Sequence, residues 1–85
     1  MTIRLLYFAR LREALGLSRE SLDLPQPVRD VGGLLAFLRT RGTQWETALA
    51  EGKSVRIAVN QTMAAEDTAV HDGDEVALFP PVTGG

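Results

Sequence analysis

The residues best suited to chemistry lie at the C-terminal end, where residues 79 to 85 read FPPVTGG. The proline pair removes two N–H donors and fixes φ, which disfavours pairing of this segment with its own sheet. Gly84 and Gly85 lack Cβ atoms, so the backbone can pass through a narrow channel. Residues 80 to 85 could extend about 20 Å, at roughly 3.3 Å per residue. We therefore predict a tail that enters another protein's pocket and presents its terminal carboxylate.

A free carboxylate is a poor electrophile, so the terminal carboxylate must be activated before a nucleophile can attack it. Transfer of AMP from ATP would give an acyl-adenylate, and a sulfur nucleophile could displace AMP to leave a C-terminal thiocarboxylate on Gly85. The chain would then carry one activated sulfur atom. It has no cysteine that could attack the activated end. ATP would be consumed by an activating enzyme, and we expect no cofactor bound to the chain itself.

Other candidate chemical groups are few. The lack of cysteine excludes disulfides, zinc–thiolate sites and a thiol nucleophile in this chain. His71 is the single histidine, so we predict neither a metal site nor a catalytic triad, and its place beside Asp72-Gly73-Asp74 is typical of an exposed loop. Gly32-Gly33 matches no phosphate-binding motif. We interpret the pair as two small residues in the first turn of a helix, where a neighbouring segment can pass close to the backbone.

Size and charge limit the class of protein. With 85 residues, of which 45% are hydrophobic, the chain is predicted to form one small soluble domain. The longest N-terminal apolar stretch, Leu5 to Ala9, lies between arginines and is too short for a signal peptide, so we expect no membrane association and a cytoplasmic location. Nine basic and eleven acidic residues are scattered along the chain, which makes nucleic acid a poor partner.

The first elements that must position the tail are two strands and a short helix. Residues 3 to 8, IRLLYF, are rich in strand formers and predict a strand. Both faces of this strand would carry apolar side chains, which favours a central place in the sheet. Residues 10 to 15 predict a short helix that Gly16 ends. A second strand is predicted over residues 18 to 24, before Pro25.

The clearest helix signal follows in the middle of the chain. Asp30 is a good N-cap, and Gly42 lies where this helix is predicted to end. The apolar residues spaced for one buried face are Val31, Leu34, Leu35 and Leu38. Thr43 and Glu46 have capping-box spacing and predict a second, short helix that ends at Gly52. Its apolar residues, Trp45 and Leu49, are expected to cover one end of the core.

The hydrophobic period changes from 3.6 to 2 in the last third of the chain. Val55, Ile57 and Val59 alternate with Arg56 and Ala58, which predicts a half-buried strand. Asn60-Gln61 predicts a turn, because asparagine tolerates positive φ, and a short return strand begins at Thr62.

The last predicted strand leads directly into the tail. It covers residues 75 to 79, after a turn at residues 72 to 74, and the proline pair ends it. Its alternation places Val76 and Leu78 on one face, with Ala77 and Phe79 on the other. We predict an α+β fold in which a main helix crosses one face of a mixed sheet, as in the β-grasp fold. Residues 1–79 would form the domain and residues 80–85 a flexible Gly-Gly tail.

Three segments carry a family resemblance: YFARLRE at 7 to 13, AVNQT at 58 to 62 and GDEVALFPPVTGG at 73 to 85. They resemble the small, sulfur-carrying subunits of molybdopterin synthase, in the ubiquitin-like MoaD/ThiS family. The segment from 17 to 54 is matched mainly by its pattern of elements. The resemblance implies a β-grasp fold and an E1-like adenylyltransferase that activates the terminal glycine for conversion to a thiocarboxylate. Two sulfur transfers to cyclic pyranopterin monophosphate would then build the dithiolene of molybdopterin.

The resemblance also implies roles for residues and partners. Gly85 would supply the reactive carboxyl group and Gly84 the slim approach to it. The large catalytic subunit would accept the tail, in a heterotetramer of two small and two large subunits. The tail would reach the pterin precursor only within this complex, so this chain alone would not be catalytic. The residues expected to contact this partner are Phe8, Met63, Phe79, Pro80, Pro81, Val82 and Thr83. Strand alternation nominates Phe79 independently, whereas Phe8 and Met63 could instead be ordinary core residues.

Three other functions remain open from the sequence. The same chemistry serves carriers of sulfur for thiamine and ubiquitin-like protein modifiers, although the proline pair favours the molybdopterin branch. The chain could also be a β-grasp binding module with a passive tail.

Overall fold

A computed structural model describes residues 1–50 and 55–80 of the chain. The elements in chain order are β1 (Thr2–Tyr7), α1 (Arg10–Leu15), β2 (Arg19–Asp23), α2 (Val31–Arg39), α3 (Thr43–Ala48), β3 (Arg56–Val59), β4 (Thr62–Met63) and β5 (Glu75–Phe79). The described strands form a five-stranded mixed sheet in the order β2-β1-β5-β3-β4. The β1–β5 pair is parallel and the other pairs are antiparallel. This arrangement confirms the predicted α+β class, with later strands returning to the middle of the sheet.

The hydrophobic core lies between one face of the sheet and the helices. The most deeply buried side chains come from β1, α2 and β5: Ile3, Leu5, Tyr7, Val31, Leu34, Leu38, Val76 and Leu78. Burying a large apolar side chain stabilises the fold by about 1.5 to 3 kcal/mol relative to leaving it exposed. Trp45 and Leu49 belong to this core, as the sequence predicted. None of the helices within residues 1–50 and 55–80 covers the opposite face of the sheet.

Local sequence signals explain the ends of two helices. The Asp30 carboxylate accepts a hydrogen bond from the Gly33 N–H at 2.8 Å and so caps α2. The Gly32 N–H donates to the Glu66 carbonyl oxygen at 2.8 Å, and a Cβ on Gly32 would lie 3.4 Å from that oxygen. The predicted close approach to this glycine pair is therefore confirmed. Gly16 ends α1 in the left-handed region, with φ at 76°.

The connection between α2 and α3 differs from the prediction. The α2 helix ends at Arg39 with Thr40 as its C-cap, so Gly42 does not end it. Gly42 is instead the N-cap of α3, with φ at 155°, and no side chain caps that helix. The predicted capping box at Thr43 and Glu46 is wrong, because the short connection makes Thr43 the first helical residue. The predicted stop at Gly52 is wrong as well, since α3 ends at Ala48; Gly52 itself lies outside the described residues.

The β3–β4 hairpin confirms the predicted turn and corrects the predicted burial of β3. Asn60 and Gln61 both have positive φ, at 50° and 69°, and the chain returns in β4. Ala58 is buried rather than exposed, because its small side chain lies between Ala77 and Met63 on the neighbouring strands. No helix within residues 1–50 and 55–80 is both long and apolar enough to cross a membrane.

Candidate functional site

The open face of the sheet, opposite the helices, carries a row of apolar side chains. Successive side chains of a strand point to opposite faces. Because Leu5 and Tyr7 of β1 are buried against the helices, Leu6 between them lies on the open face. The strand register then aligns one row across four strands: Leu6, Ala77, Ala58 and Met63. This row is the base of a candidate docking surface.

Two phenylalanines extend this row toward the C-terminal end of the chain. Phe79 is half-buried at the end of β5, and Phe8 follows β1 with 46% of its surface exposed. Their rings pack edge to face, with centroids 6.4 Å apart. The Phe8 N–H donates to the Leu78 carbonyl oxygen at 3.1 Å, which fixes Phe8 beside β5. The structure therefore brings together two of the residues that the sequence nominated.

Met63 lies on the same face, two strands away from β5. Its side chain is 55% exposed, and its partner in the β3–β4 ladder is Ala58. Adjacent strands are about 4.8 Å apart, so Met63 lies about 10 Å across the sheet from β5. The interpretation of Phe8 and Met63 as ordinary core residues is wrong, because both are exposed.

We call this surface the apolar patch; it consists of Leu6, Phe8, Ala58, Met63, Ala77 and Phe79. Exposed arginines border it, since Arg19 pairs with Leu6 and Arg56 pairs with Phe79 in the register. An exposed apolar surface with a polar rim is characteristic of protein–protein docking sites. Sequence reasoning did not predict Leu6, Ala58 or Ala77 as docking residues. They lie in the patch because they alternate with core residues along their strands and pair in register across the sheet.

The C-terminal segment begins at the edge of this patch. Pro80 directly follows Phe79 and is half-buried. The other nominated residues of the tail lie outside the described residues: Pro81, Val82, Thr83, Gly84 and Gly85. The structure thus fixes the starting point of the segment beside the aromatic pair.

The backbone beside Phe8 is strained. Ala9 has φ at 54° and ψ at −131°, a conformation that L-amino acids other than glycine rarely adopt. Such residues cost about 1 to 3 kcal/mol and persist only where the surrounding structure imposes them. This conformation of Ala9 lies at the sharp turn from β1 into α1, directly after Phe8, whose exposed ring packs beside Phe79.

A charged cluster lies behind the patch, on the helix side of the sheet. The buried Tyr7 hydroxyl donates to Oε2 of Glu20 at 2.7 Å. Arg41 donates to both carboxylate oxygens of Glu20, at 2.7 and 3.0 Å. Its guanidinium also lies 4.2 Å from the centroid of Trp45, whose ring packs edge to face with Tyr7. This cluster joins β1, β2 and the α2–α3 connection.

The hydrogen bonds of this cluster determine its ionisation. Burial, together with the hydrogen bond to Glu20, raises the pKa of Tyr7, so the hydroxyl keeps its proton. Burial alone would raise the pKa of Glu20, but the hydrogen bonds from Arg41 and Tyr7 outweigh it and hold that pKa below its ordinary value. The Glu20 hydrogen bond in turn raises the pKa of Arg41. The cluster therefore holds one carboxylate and one guanidinium at neutral pH.

The mixed sheet in the order β2-β1-β5-β3-β4, with a helix across one face, has the ubiquitin-like, or β-grasp, fold. Residues 5–85 match the model of the ThiS family, and the chain belongs to this family. The alignment includes all residues nominated for docking and the final two glycines.

Individual relatives agree with this assignment. The molybdopterin synthase sulfur carrier subunit of Escherichia coli is 41% identical over 83 residues, which cover 98% of this chain and 99% of the relative. Small archaeal modifier protein 1 of Haloferax volcanii has a similar structure, with a TM-score of 0.79, 29% identity, and coverage of 95% of this chain and 98% of that one. A chain in a complex of subunits 1 and 2 of the molybdopterin-converting factor from Helicobacter pylori shares the fold, with a TM-score of 0.66, 24% identity and full coverage of both chains.

Proposed function

We propose that this protein is the sulfur carrier subunit of a molybdopterin synthase. The near full-length similarity to the Escherichia coli sulfur carrier subunit supports this function. The observation that carries it is the apolar patch, whose aromatic pair lies where the C-terminal segment begins. A docking surface beside the start of a slim tail is the arrangement that a carrier needs in order to place its end in a partner's active site.

The proposed reaction uses the terminal carboxylate of Gly85. A carboxylate oxygen attacks the α-phosphorus of ATP in the active site of an E1-like adenylyltransferase, and pyrophosphate leaves. Hydrosulfide, or its equivalent released by a sulfur donor at the oxidation level of sulfide, then attacks the acyl carbon; AMP leaves, the proton of the new S–H group is lost, and a thiocarboxylate remains. Two such carriers, one after the other, would supply the two sulfur atoms of the dithiolene built on cyclic pyranopterin monophosphate. The chain contributes the carboxyl group and its delivery, while the catalytic groups belong to its partners.

The proposed partner surface follows from the apolar patch. Aromatic side chains that pack in the centre of an interface commonly contribute most of its binding energy. Phe8, Met63 and Phe79 would dock against the large catalytic subunit, and residues Pro80 to Thr83 would line the entry of the tail. Gly84 would permit a narrow channel next to the reactive end. We propose a heterotetramer of two small and two large subunits.

Intact mass spectrometry tests the activation step. The protein, incubated with its activating enzyme, ATP and a sulfur donor, should gain about 16 Da at the C-terminus, the mass difference between sulfur and oxygen. A variant that lacks Gly85 should gain nothing and keep its stability, because a terminal residue contributes little to the fold. An unchanged mass of the full chain, with an activating enzyme proven active on another carrier, would refute the proposal.

A second function, protein modification, is favoured by one observation, the similarity to the archaeal modifier. The thiocarboxylated protein, mixed with the large subunit and cyclic pyranopterin monophosphate, should yield molybdopterin and regenerate the carboxylate. If the activated chain instead forms isopeptide bonds to lysines of other proteins and yields no pterin product, it is a modifier. Transfer of sulfur only to a thiazole precursor would make it a thiamine carrier.

A further inference from the structure

Asn60 lies in the AVNQT segment, at the turn between β3 and β4 and outside the apolar patch. Asn60 and Gln61 both have positive φ, at 50° and 69°. Asparagine adopts this conformation more readily than most residues, which explains its suitability for the turn. The turn alone does not explain the hydrogen bonds of its side chain.

The side chain of Asn60 completes the ladder between β3 and β5. The register pairs Val59 with Val76, so Asn60 stands opposite Glu75. The Asn60 N–H donates to the Glu75 carbonyl oxygen at 2.7 Å, and the Glu75 N–H donates to Oδ1 of Asn60 at 3.0 Å. The amide oxygen of the side chain therefore takes the place that a backbone carbonyl would have in a continuous ladder. This allows the chain to turn without losing its last bond to β5.

The same side chain extends this connection to the turn before β5. Nδ2 of Asn60 donates to Oδ1 of Asp74 at 2.9 Å, while Oδ2 of Asp74 accepts from the His71 N–H at 2.8 Å. These bonds, first that from His71 and then that from Asn60, hold the pKa of Asp74 below its ordinary value. Asn60 thus ties the β3–β4 turn to Asp74, the residue before β5, and to Glu75, the first residue of β5.

The position of Met63 depends on this turn. The β4 strand contains only Thr62 and Met63, which pair with Val59 and Ala58. One further bond, from the Ala64 N–H to the Ile57 carbonyl oxygen at 2.9 Å, follows the strand. With more than half of its surface exposed, Met63 gains little from packing. The anchored turn is what brings β4 back in register.

We propose that Asn60 is a positioning residue for docking: by tying the β3–β4 turn to β5, it holds Met63 in the apolar patch. The effect of Asn60 on binding rests on the proposed docking function, whereas its effect on the position of Met63 does not. In this role Asn60 acts through the position of Met63 rather than through a contact of its own with the partner. Loss of its side chain should leave the core intact and move Met63.

Methyl NMR tests the geometry without any partner. The chain has two methionines, so a protein labelled with 13C-methyl methionine gives only the signals of Met1 and Met63. Asn60→Gly keeps the positive φ and removes the side chain, and it should shift or broaden the Met63 signal alone. The matched control is Gln61→Gly, at the other positive-φ residue, which should leave both signals unchanged. An unchanged Met63 signal in Asn60→Gly, or an equal change in Gln61→Gly, would overturn the proposal.

Binding to the large subunit tests the consequence. Asn60→Gly should weaken binding about tenfold, a change typical of losing an interface anchor, whereas Gln61→Gly should bind like the unmodified protein. In a Met63→Ala background the same Asn60 change should weaken binding less than about threefold, because the two residues act through one contact. Equal losses in both backgrounds would contradict the positioning role.

Two further outcomes are separated by this design. If Asn60→Gly does not fold, Asn60→Asp replaces it, since aspartate also tolerates positive φ and keeps the acceptor for Glu75 while losing the donor to Asp74. The Met63 signal of Asn60→Asp should shift or broaden, but less than the signal of a protein in which β4 is completely disordered. An unchanged Met63 signal would overturn the proposal. If the unmodified protein does not bind the large subunit, the proposed function fails, while the NMR result still decides the role of Asn60.

Discussion

Removal of the Tyr7 hydroxyl tests the charged cluster behind the apolar patch. Tyr7→Phe keeps the ring in the core and its edge-to-face contact with Trp45. It removes the hydrogen bond to Glu20, which is 2.7 Å long. A hydrogen bond to a charged group contributes about 1.5 to 3 kcal/mol. Because the side chains of Glu20 and Arg41 are 18% and 28% exposed, we expect the lower part of this range, a loss of about 1.5 to 2 kcal/mol at pH 7.

A larger loss is not expected, because the variant leaves no charge without a partner. Arg41 still donates to both oxygens of the Glu20 carboxylate. Removing the partner of a buried charge completely would cost about 3 to 5 kcal/mol. Urea unfolding followed by the fluorescence of Trp45, the single tryptophan, measures the change in the free energy of unfolding.

The same prediction has a defined pH dependence. Glu20 has a lowered pKa in the folded protein, so its contribution to stability is complete above the ordinary pKa of 4.5 and is lost as the pH falls through the folded value. In Tyr7→Phe the carboxylate loses one of the donors that lower its pKa. The difference in stability between the two proteins should therefore shrink to about 1 kcal/mol or less once Glu20 is protonated.

Two results would refute this reasoning. One is a loss below about 0.5 kcal/mol at pH 7, which is the range of an ordinary surface substitution. The other is a difference in stability that stays the same from pH 7 down to a pH at which Glu20 is protonated in both folded proteins, because the bond would then not involve the charged form of Glu20. Glu13→Gln, at an exposed position of α1, is the control for the general effect of losing a carboxylate.

Two further changes test the strained residue and the aromatic pair. Ala9→Gly should stabilise the protein by about 1 kcal/mol, because glycine adopts the observed φ of 54° without strain, whereas Ala14→Gly in the interior of α1 should destabilise it by about 1 kcal/mol. Thermal unfolding compares them, and a loss of stability in Ala9→Gly would contradict the assigned strain. Phe79→Ala should weaken binding to the large synthase subunit at least tenfold by removing half of the aromatic pair, as measured by calorimetry. Ser21→Ala, an exposed change on β2, is its control, and unchanged binding of Phe79→Ala would remove the apolar patch from the interface.

Local signals in the sequence were sufficient for most of the elements. Asp30 marked the start of α2, Gly16 marked the end of α1, and Asn60-Gln61 marked the turn, because each depends on the conformation of a few neighbouring residues. The capping box at Thr43 failed for a reason outside its own four residues. The length of the connection from α2 required Gly42 at the start of the helix.

The docking face depended on information that alternation does not contain. The pattern of β1 and β5 separated each strand into two faces, yet both faces carry apolar residues, so the pattern could not tell which face the helices cover. Only the structure, which buries Leu5 and Leu78 in one core with the residues of α2, shows that Phe8 and Met63 are exposed. The Tyr7–Glu20–Arg41 cluster was missed for a similar reason, since its members come from separate elements and no local spacing connects them.

The order of the strands has a consequence for how this protein is made in the cell. Among the described strands β5 comes last in chain order, yet it lies at the centre of the sheet, where it pairs with both β1 and β3. Until the ribosome has released it, β1 and β3 have no common neighbour among the described strands, and the sheet is divided into the antiparallel pairs β1–β2 and β3–β4. A prematurely terminated chain therefore cannot assemble the sheet, and its exposed strand edges make it a target for proteolysis and aggregation. Only chains translated through this strand become folded molecules.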